Sequence, residues 1–258
     1  MRYAKMIGSL IIAAAPLLGA VKLQVLQGRP VVKGVFVNGH GPYRFLLDTG
    51  AQSNQIEAGL ARSIGLLPTF QVEMVTAAGV ARVSGGKGLD VSLDSVTANQ
   101  QEFLYTDMQA VRQLSTDIQG VLGQAFLSRF DYLLDLRAKR LEFGPSDRQG
   151  TRVELRMLDG RPSVFSNLGW LVLDSGADRI ILFDAASAKS AYTMRTATGF
   201  LSTGTIQTKP LVIEGRSIPH REAVAAPRQS GASEDGLLPA SLFHAVYVNN
   251  SHGYVILD

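Results

Sequence analysis

The chain has no cysteine, which excludes disulfides, thiolate metal sites and cysteine nucleophiles together. Histidine is scarce. His40, His220, His244 and His252 form no close metal pair, and His244 and His252 are too far apart to serve as ligands on one helix. Each reads as a surface or packed histidine, and no metal or other cofactor is expected. No G-x-S-x-G occurs, so the serine elbow of many hydrolases is missing; a triad of scattered Ser, His and Asp stays open. Ser84-Gly85-Gly86-Lys87-Gly88 lacks the outer residues of a phosphate loop, with Ala81 replacing the first Gly and Gly88 the Ser/Thr. A flexible loop is expected there. Charged residues make up only 18% of the chain, with 25 basic against 22 acidic. No basic patch is interleaved with aromatics, so nucleic acid is not an expected partner. Asn249-Asn250-Ser251 is a formal glycosylation triplet without supporting context. The apolar run Met6 to Gly19 is short for a membrane span.

That run follows Arg2 and Lys5, the order of a secretory leader. Cleavage after Ala20 puts Leu18 at the minus-three place; cleavage after Ala15 fits A-x-A but leaves a short apolar core. Residues 1–20 are therefore expected to be a signal peptide, with an uncleaved membrane anchor as the alternative, and the protein to be exported to the periplasm or outside. What remains of the 258 residues can bury a substantial core, as one large domain or two ordinary ones. Its 26 Gly and 10 Pro are scattered between short apolar runs, which favours strands over long helices.

Val31 to Val37 and Tyr43 to Leu47 read as strands joined by an Asn38-Gly39 hairpin turn. The second of them ends in Phe45-Leu46-Leu47-Asp48-Thr49-Gly50-Ala51. Ile56, Leu60 and Ile64 then recur at helical spacing, with Gly65 as a stop. Val72 to Val75 and Val80 to Val83 bracket a hairpin tip, Thr76-Ala77-Ala78-Gly79. Alternating runs around Leu89 to Leu93 and Glu102 to Tyr105 come next. Gly120-Val121-Leu122-Gly123 opens a short helical piece to Arg129. A hairpin over Arg137-Ala138-Lys139 leads to the turn residues Gly144 to Asp147.

The second half retraces this order. Val164 to Asn167 enters Leu171-Val172-Leu173-Asp174-Ser175-Gly176-Ala177, and a helix is expected over Ala185 to Ala191. Met194-Arg195-Thr196-Ala197-Thr198-Gly199 echoes Met74 to Gly79. Gly236-Leu237-Leu238-Pro239 stands for Gly120 to Gly123, and Tyr254 to Leu257 is the last strand. Recurring features in one order imply an internal duplication and two lobes, residues 21–148 and 149–258.

A carboxylate at the end of a buried apolar strand must be solvated, paired or used. Asp-Thr-Gly alone is an ordinary strand-end turn, but its duplicated context makes Asp48 and Asp174 a candidate pair. Two carboxylates held close cannot both ionise, so they share one proton and can act together as base and acid. Gly50 and Gly176 permit a close approach that a Cβ would block.

These motifs resemble those of the aspartic peptidases, most closely the retropepsin-like group, over nearly all of the chain after residue 30. The resemblance implies a mostly-β fold of two similar barrel-like lobes with short helices and an active site between them. It implies that Asp48 and Asp174 orient a water that attacks a peptide carbonyl, and that Thr49 and Ser175 brace the pair. Thr76, Ala77, Ala78, Gly79 and Thr196, Ala197, Thr198, Gly199 would be flaps over the substrate. Met74, Val80, Met194 and Phe200 would line apolar pockets or pack in the core. Asp178 stands where the retroviral pattern has an Asp that holds substrate backbone; Gln52 takes the matching first-half place without a charge, so the cleft is expected to be asymmetric. Pro239 departs from the Gly of the family and predicts a differently built loop under Asp174. Ala51 and Ala177 offer no hydroxyl to the carboxylates, which predicts activity toward weakly acidic or neutral pH. The expected protein is a monomeric aspartic endopeptidase acting on peptides or proteins. Two alternatives remain: an inactive cleft that binds extended peptides, and a scaffold whose Asp turns only brace the lobes.

Overall fold

The computed structural model describes residues 20–76, 78–185, 190–196, 198–219, 222–229 and 231–258. The expected leader, apart from Ala20, lies outside them, as do Ala77, Ala197 and His220. The fold is mostly β. The first half runs β1 (Val21–Leu26), β2 (Arg29–Val37), β3 (His40–Leu47), β4 (Asn54–Glu57), α1 (Ala58–Ser63), β5 (Phe70–Thr76), β6 (Gly79–Leu93), β7 (Val96–Thr106), α2 (Gln109–Arg112), β8 (Gly120–Leu122), α3 (Gln124–Leu127), β9 (Tyr132–Asp135) and β10 (Arg140–Phe143). The second runs β11 (Thr151–Glu154), β12 (Arg156–Leu158), β13 (Arg161–Ser166), β14 (Gly169–Asp174), β15 (Ile180–Phe183), β16 (Ser190–Thr196), β17 (Gly199–Gln207), β18 (Leu211–Ile213), β19 (Arg216–Ile218), β20 (Glu222–Ala226), β21 (Gly236–Pro239), β22 (Ala245–Asn249) and β23 (Tyr254–Leu257), with a 3-10 turn at Ala240–Leu242.

Local chemistry sets the hairpins. Asn38 and Gly39 adopt φ of 47° and 77°, the left-handed pair of a tight turn whose twist matches its strands. The halves then pair their strands alike. The order β1-β2-β3-β8-β4-β7-β6-β5 is matched by β12-β13-β14-β21-β15-β20-β17-β16. In both, the aspartate strand lies parallel to the later Gly-apolar-apolar strand, β3 on β8 and β14 on β21. The last four residues of β3 and of β14 are buried on both faces, which explains the apolar runs that end them. The halves differ in closure. The long β6 reaches back to β2, Val35 opposite Leu93, and closes the first sheet on itself. β17 is shorter, and among the described residues the small β18–β19 hairpin stands beside β13 instead, tied by Asn167 to Val212.

A further antiparallel sheet joins the halves in the order β11-β23-β22-β9-β10-β1, with Val246 opposite Leu134 at the crossing. One buried apolar cluster runs from Leu23 and Phe126 through Leu134 and Val246 to Leu171. No helix among the described residues is long and apolar enough to cross a membrane.

Several local expectations are corrected. The helix after Asp48 is shorter than its periodicity suggested: Ile56 sits on β4, opposite Tyr105 and Gly120, because pairing with two strands outweighs helical spacing. The helix begins only where the Glu57 side chain accepts from the N–H groups of Gly59 and Leu60. Of the helix expected over Ala185 to Ala191, residues 186–189 lie outside the described residues, and Ser190 and Ala191 open strand β16. Ser84 to Gly88 is no free loop but part of β6, irregular in register between Gly86 and Leu89. Asn249 of the glycosylation triplet is buried, with Nδ2 on the hydroxyls of Tyr247 and Tyr254.

Candidate active site

The crossing of the halves brings the two aspartates together. The Asp48 N–H donates to Leu122 O at 3.0 Å, so β8 fixes the end of β3. Asp174 ends β14 opposite Pro239. Each carboxylate closes its own turn through Oδ1: Asp48 accepts from the N–H groups of Gly50 and Ala51 at 3.0 and 3.1 Å, Asp174 from those of Gly176 and Ala177 at 2.7 and 3.0 Å. The Oδ2 atoms face the opposite turn. A Cβ at Gly50 would stand 2.5 Å from Asp174 Oδ2, and one at Gly176 2.5 Å from Asp48 Oδ2. Both turns must be glycine because each lies against the other half's carboxylate.

Thr49 and Ser175 lock the arrangement reciprocally. Thr49 Oγ1 donates to Leu173 O at 2.6 Å and accepts from the Ser175 N–H at 2.9 Å; Ser175 Oγ donates to Leu47 O at 2.8 Å and accepts from the Thr49 N–H at 3.0 Å. Both side chains are buried, so all four bonds form away from water.

Burial holds the Asp48 carboxyl well above the usual carboxylate range, and the charge of Asp174 and the hydrogen bond between the two carboxyls raise it further. Burial also raises Asp174, but the Gly176 N–H, the bond from Asp48, the Ala177 N–H and the charge of Arg161 pull the other way. Two carboxyls held this close cannot both ionise, so the pair shares one proton. No group of three or more His, Asp or Glu among the described residues is placed to hold a metal ion.

Beneath the pair the halves diverge. In the first, the Gly123 N–H donates to the buried Asn54 Oδ1 at 3.1 Å, and Gln124 Nε2 donates to Thr49 O at 2.8 Å. The N–H groups of Gln124 and Ala125 reach the carbonyls of Ala51 and Gln52. In the second, Pro239 stands at the Gly123 position with φ of −66°, ψ of 129° and no N–H to satisfy. By strand register the Asn54 position is taken by the buried, apolar Ile180. The 3-10 turn Ala240–Leu242 replaces α3, and among the described residues it makes no backbone bonds to the Ala177 loop.

The tips of the two long hairpins meet over the aspartates. Thr76 Oγ1 lies 2.9 Å from Thr196 Oγ1 and also bonds Thr198 Oγ1, while Thr198 Oγ1 donates to Gly79 O at 3.4 Å. Beneath them is a cavity of about 830 Å³ lined by Asp48, Asp174, Met74, Thr76, Met194 and Thr196, among others. Met194 is buried there, but Val80 and Phe200 are 61% and 52% exposed and belong neither to this cavity nor to the core. Phe200 lines instead a neighbouring cavity of about 560 Å³ that shares Met74 and Thr196 with this one.

Gln52 and Asp178 line the same cavity, each with one polar contact already made. Gln52 Nε2 donates to Asp159 O at 2.7 Å, and Asp178 pairs with Arg29 at 3.1 Å. Arg29 also donates through Nε to Gly176 O at 2.6 Å, tying the start of β2 to the turn of the other half. Its second-half counterpart, Arg161, pairs instead with the buried Glu234 at 2.7 Å. Sequence reasoning missed Arg29, Arg161, Glu234, Asn54 and Gln124. A signal existed for the two arginines: Gly28-Arg29-Pro30 and Gly160-Arg161-Pro162 each open the strand before an aspartate strand.

Residues 33–126 match a family model described as aspartyl protease, less than half of the chain. Among solved structures the chain is similar to a retropepsin-like aspartic protease from Rickettsia conorii, with 18% identity over 48% of this chain and 87% of that one and a TM-score of 0.37. No curated protein matches.

Proposed function

We propose that the chain is an aspartic endopeptidase whose catalytic pair, Asp48 and Asp174, is assembled from two fused, retropepsin-like halves, residues 21–148 and 149–258. The observation that carries this is the reciprocal Thr49–Ser175 lock, which holds the two carboxyls against each other's turns beneath a cavity of about 830 Å³. Holding such a pair together costs stability, a cost that catalytic use of the shared proton accounts for. In the reaction, ionised Asp174 takes a proton from a water held between the carboxyls as its oxygen adds to the peptide carbonyl. Asp48 gives its proton to the carbonyl oxygen, forming a neutral gem-diol with no covalent enzyme intermediate. Asp174 then gives its proton to the departing amine while Asp48 takes one from a gem-diol hydroxyl, so the C–N bond breaks to acid and amine and the one-proton pair is restored. The hairpin tips exclude bulk water during these steps.

The matching family model supports this reading over the first half, and the shared strand order supports a duplication. With both aspartates in one chain the enzyme works as a monomer, so specific activity stays flat on dilution; a loss that tracks a falling mass in light scattering counts against it. The leader directs it out of the cytoplasm. The central test is digestion of a peptide library by the purified chain with and without a statine-type inhibitor. Cleavage blocked by the inhibitor supports the peptidase, whereas tight binding without cleavage selects an inactive cleft.

A further inference from the structure

The exchange of bonds between Thr49 and Ser175 relates the two aspartate turns by an approximate two-fold axis between the carboxyls. Gln52 stands just past the first turn and Asp178 just past the second, so the two side chains lie toward opposite ends of the cleft. Their charges differ. At the Asp178 end, Arg29 pairs with Asp178 at 3.1 Å and Arg179 with Glu222 at 2.5 Å, two cations against two carboxylates. At the Gln52 end, among the described residues, Arg161 alone faces two carboxylates, Glu234 at 2.7 Å and Asp159 at 3.5 Å. Gln52 brings no charge and serves instead to hold the Asp159 carbonyl. The next cation outward, Arg228, is shared between Asp184 and Asp235 and leaves no positive excess. Glu73 on the first hairpin adds another carboxylate to the lining.

Two features mark this end as a binding place and not only a charged rim. The Glu234 side chain is 3% exposed, lines the cavity and has Oε2 without a hydrogen-bond partner. A buried carboxylate oxygen in that state lacks a donor that a ligand can bring. The Asp159 side chain is 43% exposed, its long contact with Arg161 leaving it open to the cleft.

We propose that the Asp159–Glu234 end of the cleft selects a basic side chain of the substrate, lysine or arginine, with these two carboxylates as the specificity-determining residues. The cut rests on the peptidase reading; the binding preference does not. Because, among the described residues, the excess lies at one end, the preference falls on one side of the scissile bond.

The test uses peptides of one sequence in which Lys, Gln or Glu is placed in turn at each of four positions on either side of the cut. Rates are measured with the wild-type chain, and affinities with the inert Asp48→Asn chain. The expected result is kcat/KM about tenfold higher for Lys than for Glu at a position on one side only, shrinking as salt is raised. In Asp159→Asn that Lys-to-Glu ratio falls toward unity. The ratio is the readout, so a general loss of activity does not obscure it. Because Glu234 is buried and Glu234→Gln is at risk of misfolding, the exposed Asp159 is the primary variant. Equal rates and equal affinities for Lys and Glu at every position overturn the inference, as does a ratio unchanged in Asp159→Asn. Tighter binding of the Lys peptide with no hydrolysis by wild type overturns the peptidase reading and leaves this inference standing.

Discussion

The loop under Asp48 and the loop under Asp174 meet the same requirement by opposite chemistry. Both must bury a backbone nitrogen beside the aspartate strand. The first half keeps the donor on Gly123 and supplies an acceptor, Asn54, which is itself held by Gln101 at 3.2 Å. The second removes the donor with Pro239 and the acceptor with Ile180. Replacing both members of a buried hydrogen bond by apolar groups is close to neutral, whereas removing one leaves an orphan. The departure at Pro239 is therefore compensated, and Asp174 keeps both backbone bonds to its Oδ1.

The largest expected effect tests whether the halves are equal in chemistry. Asp48→Asn and Asp174→Asn each reduce hydrolysis by about a thousandfold or more, since either change destroys the shared-proton pair. Circular dichroism of each variant should match wild type. Near-normal turnover in either one breaks the pairing assignment.

Next come the supporting loops, read by denaturant melts. Gly123→Pro, which imposes the second-half solution on the first, costs more than about 3 kcal/mol: a Cβ there stands 2.5 Å from Ser53 O and 2.7 Å from Ala51 O, and Asn54 is orphaned. Asn54→Ile costs about 2 kcal/mol through the unpaired Gly123 N–H. Pro239→Gly costs about 1 kcal/mol, from an N–H facing Ile180 and a looser unfolded chain. If Pro239→Gly proves stabilising, the compensation argument fails.

A smaller difference lies in the pH dependence of stability. The folded-state carboxyl of Asp48 is raised by burial and by Asp174. Its stabilising contribution is complete below the unfolded value, about 3.9, and is lost as pH rises through the folded value. Asp48→Asn removes that loss, so the variant should melt above wild type at about pH 8 and the gap should close toward about pH 4. Burial raises Asp174 as well, so Asp174→Asn should show a gap of the same sign. A gap of the opposite sign in either variant would show that its carboxyl is not raised in the folded chain.

The smallest effect concerns the alanines after each turn. Ala51→Ser with Ala177→Ser adds hydroxyl donors beside carboxylates that already accept the backbone N–H groups of these residues. Further donors favour the ionised form, so the alkaline limb of kcat/KM against pH should move downward. A limb that stays in place means that burial alone sets the working pH.

Much of this was legible in the sequence because it is encoded within a few residues. The Asn38-Gly39 turn needs only its own backbone preferences. The Asp-Thr/Ser-Gly turns carry their own carboxylate, brace and glycine, and their repetition announces the pair without any knowledge of the path between them. Partner choice was not legible. Ile56 has helical spacing but becomes strand because β7 and β8 arrive on either side of it. Arg29 and Arg161 open equivalent strands, yet one pairs with Asp178 and the other with Glu234, since Gln52 stands where a second Asp would have been. Pro239 departs from the expected glycine, and only the register of β15 on β21 shows that the apolar Ile180, distant in sequence, takes the place of Asn54. Turn and strand signals act over neighbouring residues, whereas a buried polar group is satisfied by whatever the fold carries to it. That matching is a property of the tertiary structure alone.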